Sequence, residues 1–203
     1  MQVMNKPLSK KMAAYTWYIY PIVAAVLGLI IAFMFSAFHQ PSRHQVLSLF
    51  VSASLKDDSF TKTIKNHYEE EDLREFRVNA SLPNSSGFTR KLNLYLTDSD
   101  FLLLDETTVS KYKDYSPTYF VPLDGTLKDL YAPANATYFA HGEHDYGIRM
   151  EDDCWLRDYF LLEDKTYYLF LSTSSKNLGA LYDEKNEPYD NALTAIKLLL
   201  EGA

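Results

Sequence analysis

Cysteine is nearly absent from the 203 residues: Cys154 stands alone. A single thiol makes no internal disulfide and cannot furnish a four-cysteine zinc site. Glycine is scarce as well, with 7 residues. No G-x-x-x-x-G-K-[ST], G-x-G-x-x-G or G-x-S-x-G motif occurs, so a phosphate cradle and a nucleophile elbow are both missing. Basic residues are too few for a nucleic-acid binder: 20 Lys+Arg face 27 Asp+Glu, and the pI is about 5.2. General disorder is excluded by 47% apolar residues. The length suits one domain plus an appendage.

Acid is missing from the first 44 residues, which carry Lys6, Lys10, Lys11 and Arg43. Residues 45–203 hold 16 basic and 27 acidic residues, a balance of −11. The two parts therefore meet different surroundings. Charge is also missing between Met12 and Phe38. That run exceeds the ~20 apolar residues a membrane-spanning helix needs. Tyr15, Trp17, Tyr18 and Tyr20 cluster at its start, where rings favour the headgroup level. Three lysines precede the run, so the positive-inside bias sets the N-terminus in the cytoplasm. A small-x-small cleavage site is poor, since Phe35 lies two places before Ala37. The expected organisation is a cytoplasmic segment over 1–12, a transmembrane signal-anchor helix over 13–38, a tether over 39–45 and an extracytoplasmic α/β domain over 46–203. The chain is then a single-pass protein of the cell membrane. Ala24, Gly28 and Ala32 give slight support for helix pairing.

Within the domain, Val46–Ala53, Phe76–Leu82 and Tyr167–Thr173 read as strands, and Phe101–Leu104 as a buried strand. Leu92, Leu94 and Leu96 alternate, so Phe88–Leu96 also reads as a strand. Tyr119–Leu123, Tyr138–Ala140 and Gly147–Met150 are expected as short strands. Helices are expected over Leu55–Tyr68, Asp105–Tyr112 and Asp190–Glu201, with a turn at Leu127–Tyr131. In the last long helix the apolar stripe is Leu193, Ile196, Leu199 and Leu200, with Asp190 as N-cap. Strands mixed with helices predict an α/β domain whose partly parallel sheet is covered by helices.

The candidate chemistry is thin. His141 and His144, three apart, meet one metal if their loop folds back, whereas the plain reading of His141–Cys154 is a solvated loop. Asp98, Asp100, Asp105 and Glu106 are acid-rich, but Phe101–Leu104 breaks the spacing of a calcium loop, and caps are the simpler role. Acids beside Cys154 disfavour a thiolate nucleophile. N-x-[ST] triplets at Asn79, Asn84 and Asn135 face outward if the host glycosylates. No cofactor is implied, and the reading is not an enzyme.

The 16 Tyr and 12 Phe are the richer signal. Tyr112, Tyr115, Tyr119, Phe120, Tyr138 and Tyr146 are the candidate contacts for a ligand or partner, because rings with a polar tip are favoured at recognition surfaces. The alternative for most of them is a Tyr-rich core.

The order VLSLFVSA, helix, Phe76–Leu82, Thr97–Asp100, Phe101–Leu104, Glu106–Tyr112 and Val121–Asp124 resembles the first lobe of an extracellular solute-binding protein of ABC importers. Tyr167–Gly179 is similar to the later strand that returns to that lobe. The resemblance implies a single-lobe α/β ectodomain that binds a small solute or a protein partner without catalysis. The chain has room for one lobe only, and a membrane helix stands in place of the family's lipid-anchoring Cys. The second function class is a structural or accessory subunit of a membrane complex with no small ligand.

Overall fold

The computed structural model describes residues 6–38, 41, 45–68, 73–124, 136–175, 177 and 190–202. The chain divides into two compact units, Met1–Gln40 and Pro41–Ala203. The first unit is a helix, α1 (Lys6–Phe38), with Pro21 inside it. Its segment Ile19–Ala37 has a mean hydropathy of 2.4 and none of it is buried. Nineteen helical residues rise about 28 Å, close to the thickness of a hydrocarbon core. By length and composition this is a candidate membrane span or signal anchor.

The second unit is mixed α/β. Its main sheet has six strands in the order β3-β1-β4-β8-β6-β5. These are β1 (Val46–Val51), β3 (Glu75–Ala80), β4 (Phe101–Asp105), β5 (Tyr138–His141), β6 (His144–Arg149) and β8 (Tyr167–Leu171). β3 and β4 flank β1 in parallel, with Leu49 opposite Val78 on one side and opposite Phe101 on the other. β8 then runs antiparallel to β4, and β6 antiparallel to β8. β2 (Ser54–Leu55) and β7 (Phe160–Leu161) form a separate two-stranded pair.

Alternate residues of the central strands enter two different cores, as the two-residue period of a strand requires. Leu47, Leu49, Val51, Phe101, Leu103, Leu169 and Leu171 lie in one. Phe50, Leu102, Leu104 and Phe170 lie in the other. On the first face, α2 (Phe60–Lys65) contributes Phe60 and Ile64, and α6 (Asp190–Glu201) contributes Ala192, Ala195, Ile196 and Leu199. The second face is covered by α3 (Phe88–Asp98), through Phe88, Leu92 and Leu96, and by α4 (Glu106–Tyr112), through Val109. A 3-10 turn (Lys113–Tyr115) and the short α5 (Ser116–Tyr119) continue from α4. β4 is buried at every position, as a strand covered on both faces must be.

The structure corrects several expectations. Phe88–Leu96 is the helix α3, not a strand. Phe88, Leu92 and Leu96 recur every four residues and are buried, while Leu94 points into solvent. β3 and β4 lie on opposite sides of β1 and run the same way as it does. Passing from one to the other needs a crossover, and α3 is that crossover. Tyr119–Leu123 supplies only a single bridge, Phe120 to Ser172. The helix expected over Leu55–Tyr68 is confined to Phe60–Lys65, because Ser54 and Leu55 pair with β7. The buried stripe of α6 is turned toward Ala192 and Ala195, whose small side chains face the sheet. Leu127–Tyr131 lies outside the described residues.

Candidate functional site

The parallel strands fix where a ligand-binding crevice belongs. From β1 the chain leaves toward α2 on the first face, and from β4 it leaves toward α4 on the second. Neighbouring strands whose connections diverge open a crevice at their carboxyl ends. Ser52 tightens this point: its N–H donates to the Leu103 carbonyl (2.9 Å), and its hydroxyl accepts from the Asp105 N–H (2.7 Å). Asp105 is fully buried and caps α4, its carboxylate accepting from the Thr108 N–H (3.1 Å) and hydroxyl (2.6 Å). That cap sets the direction in which α4 departs.

Beside it, between the first turn of α3 and the length of α4, lies a groove of about 410 Å³. Pro83, Phe88, Thr89, Thr108, Lys111, Tyr112 and Tyr115 line it. Gly87 precedes α3 at φ 90°, a conformation that glycine adopts without strain. Tyr112 is half-buried and donates to Asn93 Oδ1 (3.3 Å). Burial pushes its phenol above the usual tyrosine value, and neighbouring Tyr119 and Tyr115 add to the rise. The rings of Tyr112, Tyr115 and Tyr119 follow one another at 6.5 Å steps. Tyr115 is 57% exposed.

The six candidate aromatics thus divide. Tyr112 and Tyr115 line the groove, and Tyr119 stands next to it. Phe120 and Tyr146 are core residues and present no surface. Phe120 stacks on Phe170 at 4.2 Å, and Tyr146 is buried in the same cluster. Tyr138 is half-buried against the opposite face of the sheet. Phe88, Thr89, Thr108 and Lys111 escaped the sequence reading. Taking α3 for a strand hid the first two, whereas the D-x-x-T spacing of Asp105 and Thr108 was a legible cap signal.

His141 and His144 end the β5–β6 hairpin opposite one another, across a turn in which Gly142 has φ 65°. His144 Nδ1 is paired with Asp124 Oδ2, and its ring meets Tyr146 edge-on. Among the described residues no group of three or more His, Cys, Asp or Glu is placed to hold a metal ion. The acids around β4 are separated by the strand itself. Asp105 stands at its carboxyl end, and Asp100 precedes its amino end, about 17 Å away. Asp100 is buried and accepts from the Ser48 N–H (2.8 Å) and hydroxyl (2.9 Å), from the Ser175 hydroxyl and from Asn177 Nδ2 (3.0 Å). It is a structural carboxylate tying β1, β4 and the segment after β8 together.

Cys154 is half-buried. Burial raises its thiol above the ordinary value, and Asp153 adds to this against the opposing effect of Arg157. A thiol so placed is a poor nucleophile at neutral pH. Of the three sequons, Asn84 is exposed in the turn before α3. Asn79 is instead half-buried in β3, where its Oδ1 accepts from the Tyr95 hydroxyl (2.9 Å). Asn135 lies outside the described residues.

Comparison with protein-family models, with curated proteins and with solved structures finds no match.

Proposed function

We propose that this chain is a membrane-anchored, extracytoplasmic binding module, without enzymatic activity, built like one lobe of a solute-binding protein. The groove between α3 and α4 is its binding face, and that groove is the observation that carries the reading. It lies on the second face of the sheet, between the first turn of α3 and α4, and offers a concave surface of the kind that holds ligands. Its lining offers aromatic rings, the hydroxyls of Thr89, Thr108, Tyr112 and Tyr115, and one ammonium, with no carboxylate, imidazole or thiol. Such a surface is suited to bind and orient a ligand through ring stacking and hydrogen bonds. The apolar segment Ile19–Ala37 of α1, which follows Lys6, Lys10 and Lys11, is the anchor, with the N-terminus cytoplasmic.

The second reading, an accessory subunit with no small ligand, is favoured by large apolar side chains standing exposed, Leu82 before α3 and Leu94 on its outward side.

Two measurements test the proposal. Ser86, exposed in the turn before α3, is changed to Cys in a Cys154→Ser background and treated with a membrane-impermeant maleimide on intact cells. Labelling is expected; labelling only after lysis removes the extracytoplasmic placement. Separately, the full chain in lipid nanodiscs is screened by thermal shift against a library of small solutes, beside Tyr115→Ala. Hits that vanish in the variant support the groove. An empty screen, or hits indifferent to the change, gives the accessory reading precedence.

A further inference from the structure

Four residues of α4 and the turn after it form one row. Thr108, Lys111, Tyr112 and Tyr115 stand at i, i+3, i+4 and i+7, and all four line the groove. Pro83, Phe88 and Thr89 complete the wall. Two hydroxyls of this lining are already committed. Thr108 donates to Asp105 Oδ2 (2.6 Å) and Tyr112 to Asn93 Oδ1 (3.3 Å). The hydroxyls of Thr89 and Tyr115 and the ammonium of Lys111 make no hydrogen bond or ion pair among the described residues. No acid balances them inside the groove. Glu106 and Asp114, the exposed acids of α4 and its turn, stand off the row and do not line the groove. The first turn of α3 carries no acid either.

The lining therefore offers rings and donors, with no carboxylate or side-chain amide to accept. A polyol brings as many donors as acceptors and finds few partners for its donors there. A carboxylate brings acceptors only, and its hydrogen bond with an ammonium is of the stronger, charge-assisted kind. One ammonium balances one negative charge, and the −11 of residues 45–203 disfavours a ligand of higher negative charge. Phe88, Tyr112 and Tyr115 offer ring faces and edges to an aromatic body. At about 410 Å³ the groove is at the small end of ligand pockets, which run from roughly 300 to 1,000 Å³, so it suits one small molecule.

We propose that the groove takes a small aromatic monocarboxylate, its ring against Phe88, Tyr112 and Tyr115 and its carboxylate on Lys111 Nζ, with the Thr89 and Tyr115 hydroxyls as further donors. The inference rests on the reading of this groove as the binding face and names the chemical class of what it holds. Lys111 selects against neutral analogues, and the rings supply the buried area.

The test uses the full chain in nanodiscs of uncharged lipid. The probes are benzoate, phenylacetate and hydrocinnamate, each beside its primary amide, with acetate as the ring-free control. Saturation-transfer NMR gives the affinities, and nanodiscs without protein give the background. At least one of the three acids is expected to bind, and its amide about tenfold more weakly, the scale of one hydrogen bond to a charged group. Acetate is expected to stay at background. Lys111→Met is expected to lower the acid to the level of its amide, and Tyr115→Ala to weaken both. Near-ultraviolet circular dichroism confirms that each variant is folded. An amide that binds as well as its acid, and is weakened by Tyr115→Ala, overturns the carboxylate and leaves the groove as the binding face. Acid binding that both variants leave unchanged lies elsewhere on the chain and overturns the proposal, as does acetate binding as tightly as the acids. Absence of binding by all three acids also overturns it. Hits from the solute screen that vanish in Tyr115→Ala would then keep the groove reading, whereas an empty screen removes both.

Discussion

The two faces of the sheet are built differently. Among the described residues the first face gathers 23 buried apolar side chains under α2 and α6, and the second gathers 10 under α3 and α4. Of the ten on the second face five are aliphatic, Phe50 and Phe88 meet under α3, and Phe120, Tyr146 and Phe170 form an aromatic end. On the second face a groove opens between the first turn of α3 and α4. The larger apolar core therefore lies on the first face of the sheet and the groove on the second, the arrangement expected if a binding surface is drawn from the less densely packed part of a fold.

The sharpest way to break that comparison is to remove one ring from each side. Phe60 meets Phe76, Trp155, Tyr159 and Phe160 at centroid distances of 5.0–6.1 Å. Phe60→Ala is expected to cost about 3–5 kcal/mol, since its neighbours cannot collapse into the space. Phe88 borders the groove, and Phe88→Ala is expected to cost less than about 3 kcal/mol. Urea unfolding of the two variants measures the difference. Equal losses would mean that the second face is as tightly built as the first.

Much of the first face could be read from the sequence, and less of the second. β1, β4 and β8 are apolar runs rich in β-branched or aromatic residues, and α6 carries a helical stripe; a single chain segment defines each. α3 could not be read this way. Phe88-Leu92-Leu96 has the helical spacing, and Leu92-Leu94-Leu96 has the strand spacing, within the same nine residues. What decides between them is the parallel placement of β3 and β4, which no local pattern contains. The candidate site suffered in turn, because Phe88 and Thr89 reach the groove only if α3 is a helix. Phe120 and Tyr146 were misassigned for a related reason. Whether a ring on a short segment points inward depends on its partner, here Phe170 for Phe120. The pairing of His144 with Asp124 joins residues 20 apart and was equally beyond a local reading.

A smaller effect tests the join between the aromatic end and the sheet. A Cβ on Gly147 would come within 2.6 Å of Phe170 Cε1, and Phe170 is held by Phe120 and Phe139. Gly147→Ala is expected to cost about 1–3 kcal/mol through overpacking, because the ring has nowhere to move. A neutral result in urea unfolding would show that the second face yields more easily than its stacking suggests.

Alkaline pH separates the faces by another route. Tyr68, on the first face, donates to the Asn191 carbonyl of α6 (2.8 Å), and burial raises its phenol far above the ordinary value. The folded-state pKa exceeds the unfolded one, so the stability that Tyr68 contributes is fully present below about pH 10 and is lost as pH rises beyond it. Tyr167, on the same face, is raised in the same direction by burial. Tyr68→Phe is expected to cost about 1 kcal/mol at pH 7 for the lost hydrogen bond and to flatten part of the alkaline decline. Urea midpoints from pH 8 to 11 record both, and an unchanged slope would show that α6 does not depend on this phenol.

The smallest expected change in stability carries the most weight for function. Leu94 is on the outward side of α3 and is 58% exposed. Leu94→Ala is expected to leave the unfolding free energy within about 0.5 kcal/mol, as for a surface position free of caps and networks. Leucine nevertheless stands where a helix surface favours Lys, Glu or Arg, one turn from Arg90. If the second face exists to bind, the change should weaken partner capture while the midpoint stays fixed. If instead Leu94→Ala lowers the midpoint by more than 1 kcal/mol, Leu94 serves packing inside the chain, and the division of labour between the two faces is lost at the residue where it should be clearest.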